Sequence, residues 1–346
     1  MMRKSFVAVA LCLLAGPLAA HADSVAPFGV LSAYNIVALG SSSLAGSITE
    51  NNDVEGRVAA AGSVSGISGI LNSLTNAGSS DPWGSYATIN GVNYAAVIDG
   101  TLIGPTAIKQ DSTISYVYAA SHTGTISFNN SFNNREFFSN AASSPIDFSA
   151  ERTAMANESA LLAGEKATGT VCFSTNYGCS GRSIVLTGTS KAINYFTVPA
   201  SDFGYGSIEF DVPVGSTVVV NVTGSSVTFS SAGVYINGNN AESDSNNDDN
   251  KILFNFPTAT SVTIKGAVDA SILAPYALLT SSDGQIGGNV IVAQYSGNSE
   301  FHNDEYMGNI PEVTPPTSTT PEPGTITLLG SGVLCLAGLL RRRRKA

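Results

Sequence analysis

From residue 25 to residue 310, the apolar residues of this chain come in short, β-branched runs that clusters of Gly, Asn, Ser and Asp interrupt. Val, Ile and Thr pack well on a pleated surface, whereas a helix needs an apolar stripe at a spacing of about 3.6 residues sustained over three or more turns. The segments 92–98, 113–119, 125–128, 183–186, 217–222, 227–229, 234–236, 252–254, 262–264, 271–273, 277–280 and 289–293 are therefore the expected strands. Many short strands at close spacing fit a sandwich, a barrel or a solenoid. No Pro-rich linker divides these 286 residues, so one large domain is expected.

The C-terminal third favours the solenoid. Ser261-Val262-Thr263-Ile264-Lys265-Gly266 recurs in style as Gly288-Asn289-Val290-Ile291-Val292-Ala293, with Ala270-Ser271-Ile272-Leu273-Ala274-Pro275 and Ala277-Leu278-Leu279-Thr280 between them. Each strand is then one side of a coil with small residues at its corners, and stacked coils bury a continuous apolar interior. One helix is expected near 146–163. Ser144 is the candidate N-cap, Pro145 opens the first turn, and Phe148, Met155 and Leu162 follow at sevenfold spacing with Ala154 and Leu161 beside them. The expected fold is mainly β: a right-handed β-helix or solenoid-like domain with one flanking α-helix. A β-sandwich is the alternative.

Both chain ends look like export devices. Residues 1–22 carry Arg3-Lys4, an apolar run over 6–14 and Ala20-His21-Ala22, the pattern of a signal peptide cleaved after Ala22. At the other end stand Pro321-Glu322-Pro323, a 16-residue uncharged apolar run over 325–340, and Arg341-Arg342-Arg343-Arg344-Lys345. As a helix at about 1.5 Å per residue this run spans roughly 24 Å, and snorkelling arginines can make up the rest of the membrane thickness. Five cations belong on the cytoplasmic side, so a transmembrane helix at about 325–340 is expected. This tail resembles the PEP-CTERM sorting signal of Gram-negative bacteria. The resemblance implies processing by an exosortase near Pro321, Glu322 and Pro323, transient anchoring in the inner membrane, and delivery to the cell surface or extracellular matrix. The expected division is 1–22 signal peptide, 23–310 folded body, 311–320 Pro/Thr linker and 321–346 sorting segment.

Charge narrows the partners. Seven of the 16 Lys and Arg lie in the leader and basic tail, while all 26 Asp and Glu lie between Asp23 and Glu322, which leaves the exported body near −17. Such a body has no basic face for phosphate, which argues against nucleic acid. Of the four Cys, Cys12 and Cys335 sit in the two end segments. Cys172 and Cys179 flank Asn176-Tyr177-Gly178, and in an oxidising compartment they are expected to form a local disulfide.

The body also resembles a family, the choice-of-anchor A domain, whose members carry varied C-terminal anchors, PEP-CTERM among them. The matching residues are Tyr34-Asn35-Ile36-Val37, Asp53-Val54-Glu55-Gly56-Arg57-Val58-Ala59-Ala60-Ala61-Gly62, Pro145-Ile146-Asp147-Phe148, Asn221-Val222-Thr223-Gly224, Phe254-Asn255-Phe256-Pro257, Ser271-Ile272-Leu273-Ala274-Pro275-Tyr276, Gly284-Gln285-Ile286-Gly287-Gly288-Asn289 and Glu300-Phe301-His302-Asn303. Usual members have Gly-Gly at Ala61-Gly62 and Asn at Tyr276. The resemblance implies a β-helix-like adhesive domain without catalysis or cofactor. A broader likeness is to ice-binding β-solenoids, which also carry a flanking helix.

An enzyme remains the alternative reading, as a secreted carbohydrate-active β-helix. The exported chain holds two His, His122 and His302, with no Gly-x-Ser-x-Gly elbow and no His pair at metal spacing. His302, among Glu300, Asp304 and Glu305, is the acid–base candidate, and its plainer reading is a loop residue capping the last turn of the coil. The acidic run over 242–250 places Asp244, Asn246 and Asp248 at the first three oxygen positions of a calcium loop. Asp249 stands where that loop needs Gly, so these three are weak calcium candidates on a solvated loop. The expected partners are the exosortase, the membrane during sorting, and an exopolysaccharide or matrix protein.

Overall fold

The computed structural model describes residues 26–71, 83–109, 116–129, 137–138, 143–174, 178–179, 181–203, 206–230, 233–241 and 249–311. The body is mainly β with one α-helix, and its sheets are built almost wholly of parallel pairs. Each expected strand segment carries a strand. The segment 113–119 does so from Tyr116, because residues 110–115 lie outside the described ones. Face-to-face antiparallel sheets, the sandwich alternative, are not what these residues form.

Parallel pairing arranges most of the strands into three ladders, and a separate five-stranded sheet holds Thr170–Phe173, Ile184–Thr187, Ile208–Asp211, Val234–Ile236 and Asn239–Asn240. The first runs, in spatial order, through Ile193–Pro199, Thr217–Thr223, Ile252–Asn255, Ser271–Ser281, Val290–Gly297, Ile36–Ala38, Val58–Ala60, Val92–Ile103, Tyr116–Thr123 and Phe137–Phe138. Four of these strands are long enough to turn a corner into the second ladder, which also takes in Ser226–Phe229, Ser261–Ile264, Ile48–Glu50 and Val64–Ser65. Register shifts between Ala274 and Leu278, and between Ile98 and Thr101, mark two such corners. The third ladder joins Val268–Asp269, Gln285–Gly287 and Glu300–His302 to Gly69–Ile70, Thr106–Lys109 and Ile126–Asn129, with Val54 bridging Phe301 and Ile70. The chain visits the ladders in turn, which is compatible with a β-helix or solenoid.

The stacking order is not the chain order. Ile36 pairs with Val58 on one side and with Val290 on the other, so the first strand lies in the middle of the stack. From there the chain builds outwards to Phe137–Phe138, passes through the helix Phe148–Gly164, resumes at the opposite end with Ile193–Pro199, and coils back to abut its own start. The stylistic repeat of 261–266 at 288–293 is accordingly not a stacked pair. Ser261–Ile264 lies on the second ladder, whereas Val290 continues the first. The true offset in this region is 18 residues, as Leu253 pairs with Ser271 and Ile272 with Val290.

Alternation along each strand separates two cores. The inward row of the first ladder, Phe196–Val220–Phe254–Ile272–Val290–Ile36–Val58–Ala96–Val117, fills the interior, and Phe203, Phe210 and Phe229 pack on Phe254. The outward row, Leu273–Ile291–Val37–Ala59–Val97–Tyr118, is buried as well, under the helix, Phe28–Tyr34 and Tyr306. Buried on both faces, these strands are apolar almost throughout.

The helix begins at Phe148, and its cap is Asp147. The Asp147 carboxylate accepts from the backbone N–H groups of Ser149 and Ala150 at 3.0 Å each. Ser144, the expected cap, instead accepts from Ile146 N–H at 3.3 Å. Phe148, Met155 and Leu162 face the sheet, Leu161 is half-buried and Ala154 is exposed. The helix packs along Thr217–Thr223, Ile252–Asn255 and Ser271–Ser281.

Candidate functional site

The outer surface of the first ladder is covered, whereas the second ladder turns a partly exposed outer row to solvent. Its inward row is Val227–Val262–Leu279–Tyr295–Ile48–Val64–Leu102, every member buried. The residue after each of these points outward. The result is a row of hydroxyls across six neighbouring strands: Thr228, Thr263, Thr280, Ser296, Thr49 and Ser65. Beyond it the row continues through Ile103 and Thr123, both exposed. At a strand spacing of about 4.8 Å, six hydroxyls cover roughly 24 Å. Neighbours bond along the row: the Thr263 and Thr280 hydroxyls are 3.1 Å apart, and Ser65 donates to Thr49 at 3.4 Å. A parallel row contains Ser226, Ser261, Leu278 and Gln294, and at its far end the Thr101 and Ser121 hydroxyls lie 2.7 Å apart. Neither row carries an acid or a base, so a ligand can settle on them without stripping water from a charge.

Under this face lies a polar relay. The Tyr295 hydroxyl donates to the buried Glu50 carboxylate, and the Ser281 hydroxyl is 2.6 Å from Tyr295. Glu50 also accepts from Asn51 N–H at 2.6 Å and Asn52 N–H at 3.0 Å. Burial pushes the Glu50 carboxyl above its ordinary value, and these hydrogen bonds offset part of the shift.

The matching motifs around Asn35, Gly56, Asn289 and His302 meet where the two halves of the chain join. Asn35 donates to the carbonyls of Gly288 at 2.7 Å and His302 at 2.9 Å, and accepts from Gly56 N–H at 3.2 Å. Asn289 donates to Tyr34 O at 2.8 Å and accepts from Tyr306 N–H at 2.7 Å. Gly56 is needed for this approach, because a Cβ there would sit 2.7 Å from Asn303 Oδ1. These motif residues close the fold.

The other sequence candidates scatter. Cys172 and Cys179 form a disulfide with their Cα atoms 5.9 Å apart, on a strand edge far in sequence from the hydroxyl rows. His302 ends a paired strand and is not on a loop, with its Nε2 3.8 Å from Glu300 Oε1. Asp244, Asn246 and Asp248 lie outside the described residues, as do Ala22, Pro321, Glu322 and Pro323. Asp249 opens a short 3-10 turn, and burial together with Asp304 and Asp269 pushes its carboxyl up to about 7. No helix among the described residues is long and apolar enough to cross a membrane. The sequence predicts faces of Thr, Ser and Asn on a coil of this kind but does not locate this row, although a signal for it is there. Val227-Thr228, Val262-Thr263, Leu279-Thr280, Tyr295-Ser296, Ile48-Thr49 and Val64-Ser65 each set an apolar residue before a hydroxyl.

Residues 319–345 match the PEP-CTERM protein-sorting motif, which marks proteins for export and for a surface or extracellular location in bacteria. No curated protein and no solved structure matches the chain. A family model described as an ice-binding-like adhesive domain matches residues 27–303, most of the body described above, and the chain belongs to that family.

Proposed function

We propose that this is an exported, exosortase-processed surface or matrix protein whose body is a right-handed β-helix that holds extended polysaccharide on its hydroxyl rows, without catalysis. The observation that carries this reading is the unbroken row Thr228–Thr263–Thr280–Ser296–Thr49–Ser65 on the second ladder. Each hydroxyl offers a donor and an acceptor at a regular step. Each contact is weak, and repetition along a polymer multiplies weak contacts through effective concentration. A neutral or sparsely charged glycan suits the face, since the rows are uncharged while the body as a whole is acidic. Family membership supports a non-enzymatic role. In this reading residues 1–22 are removed, 23–310 form the body, 311–320 are a linker, and the segment near 325–340 is a transmembrane helix during sorting.

The test is binding of the exported protein to a panel of purified exopolysaccharides, beside a variant carrying Thr263→Val, Thr280→Val and Ser296→Ala. Three lost hydrogen bonds at about 0.5–1.5 kcal/mol each predict a loss of affinity of at least about tenfold. Equal binding by the variant, or hydrolysis of the glycan by the wild type at an enzymatic rate, would overturn the reading.

A further inference from the structure

On the third ladder, a set of side chains that the polysaccharide reading does not use converges from the two halves of the chain. Glu300 and His302 lie two apart on one strand, and Phe301 between them is buried, so both point outward. Val54 bridges Phe301 and is itself buried, which turns Glu55 outward beside His302. One carboxylate oxygen of Glu55, one of Glu300 and an imidazole nitrogen of His302 all lie within 4.8 Å of one another. All three residues are half-buried. The His302–Glu300 separation of 3.8 Å is too long for a hydrogen bond, so these donors face a common space without bonding each other.

The surroundings favour a cation in that space. Among the described residues no Lys or Arg pairs with Glu55, Glu300 or His302. Asp304 lies within electrostatic reach of His302 and Glu55 and adds negative charge. Gly287 is the register partner of His302, and the space its side chain would take is held by the Asp304 carboxylate, whose Oδ2 a Cβ there would meet at 3.3 Å. Glu55 is held in place by Asn303, whose N–H donates to its Oε2 at 3.1 Å. Zinc bonds imidazole nitrogen and carboxylate oxygen at about 2.0–2.2 Å in tetrahedral geometry, so two of its ligands stand about 3.3–3.6 Å apart. The 3.8 Å pair is a few tenths of an ångström wider than this, and small rotations of the two Glu side chains bring all three donors to bonding range. Imidazole with two carboxylates favours zinc or a similar first-row ion over calcium, which takes oxygen ligands alone.

We propose that Glu55, Glu300 and His302 bind a divalent ion of the zinc class and that this ion clips the two halves of the chain together. Glu55 belongs to the half that begins the chain, and Glu300 and His302 to the strand that returns to it. The ion therefore crosses the one junction in the stack that no short connection spans.

Zinc titration of the exported protein tests this. The exported chain has only two His, His122 and His302, so their imidazole resonances can be followed in the unaltered protein. Zinc should shift one imidazole, identified as His302 through a His122→Ala variant, and should raise the thermal unfolding midpoint. Glu55→Gln and His302→Gln should weaken zinc at least about tenfold and abolish the rise in midpoint, while Asp53→Asn keeps both. The proposal is overturned if the His302 resonance does not respond, if zinc raises the midpoint equally in the Glu55 and His302 variants, or if the wild type binds no zinc.

Discussion

Glu50 shows how much a single residue carries in this fold. It stands in the strand Ile48–Glu50, fully buried, and its carboxylate gathers Tyr295 from the returning half of the chain and two backbone N–H groups of its own turn. Burial holds its proton more tightly than in the unfolded chain, and the same is true of Asp249. The sign follows. An acid whose folded pKa is raised favours the folded state while protonated and loses that contribution as pH rises from its unfolded value through its folded one. For Asp249 the window runs from 3.8 to about 7. The body should therefore lose stability as pH rises across this range. Asp249→Asn should flatten the slope, as thermal unfolding at a series of pH values will show. A slope that is unchanged in the variant would contradict this account.

Among the elements, the helix Phe148–Gly164 is the one whose docking the apolar pattern explains only in part. Met155 and Leu162 reach the sheet, yet the contact between them is polar. Asn255 donates to Ser159 O at 2.8 Å and to Asn221 Oδ1 at 2.8 Å, and accepts from the Ser159 hydroxyl at 2.5 Å. Asn221 in turn donates to Leu162 O at 2.8 Å. Asn221 and Asn255 are register partners on adjacent strands, so stacking itself builds the pair. Asn255→Ala would leave Ser159 and Asn221 groups buried without partners. The expected cost is about 1–3 kcal/mol, read from urea unfolding. A loss below a few tenths of a kcal/mol would mean that apolar packing alone docks the helix.

At the scale of the whole molecule the two halves of the chain join where Ile36–Ala38 pairs with Val290–Gly297. The half that ends before the helix presents Ile36–Ala38 as a bare parallel edge, and the other half presents Val290–Gly297. Unpaired edges and uncovered apolar rows leave each half short of a closed core. Expressed alone, residues 23–142 should aggregate or stay unfolded, whereas co-expression with 143–310 should give a co-purifying pair with the circular dichroism of the intact body. A cooperative β-type melt from the first fragment by itself would show that the junction is dispensable.

What the sequence determined is what local chemistry determines. β-branched runs between turn residues specify strands, sevenfold spacing behind a Ser-Pro start specifies one helix, and the charge and end segments specify an exported acidic chain. The short strands Ile36–Ala38, Ile48–Glu50 and Val58–Ala60 escaped the pattern, because three residues carry too little periodicity to stand out. The tertiary structure alone decided which strand lies beside which. Ile36 and Val290 are 254 residues apart, and no local preference encodes a contact at that range. Thr49 and Ser296 become neighbours, and Glu55 meets His302, only because burying the inward rows fixes the register of the two halves, a one-residue slip of which would turn every hydroxyl inward.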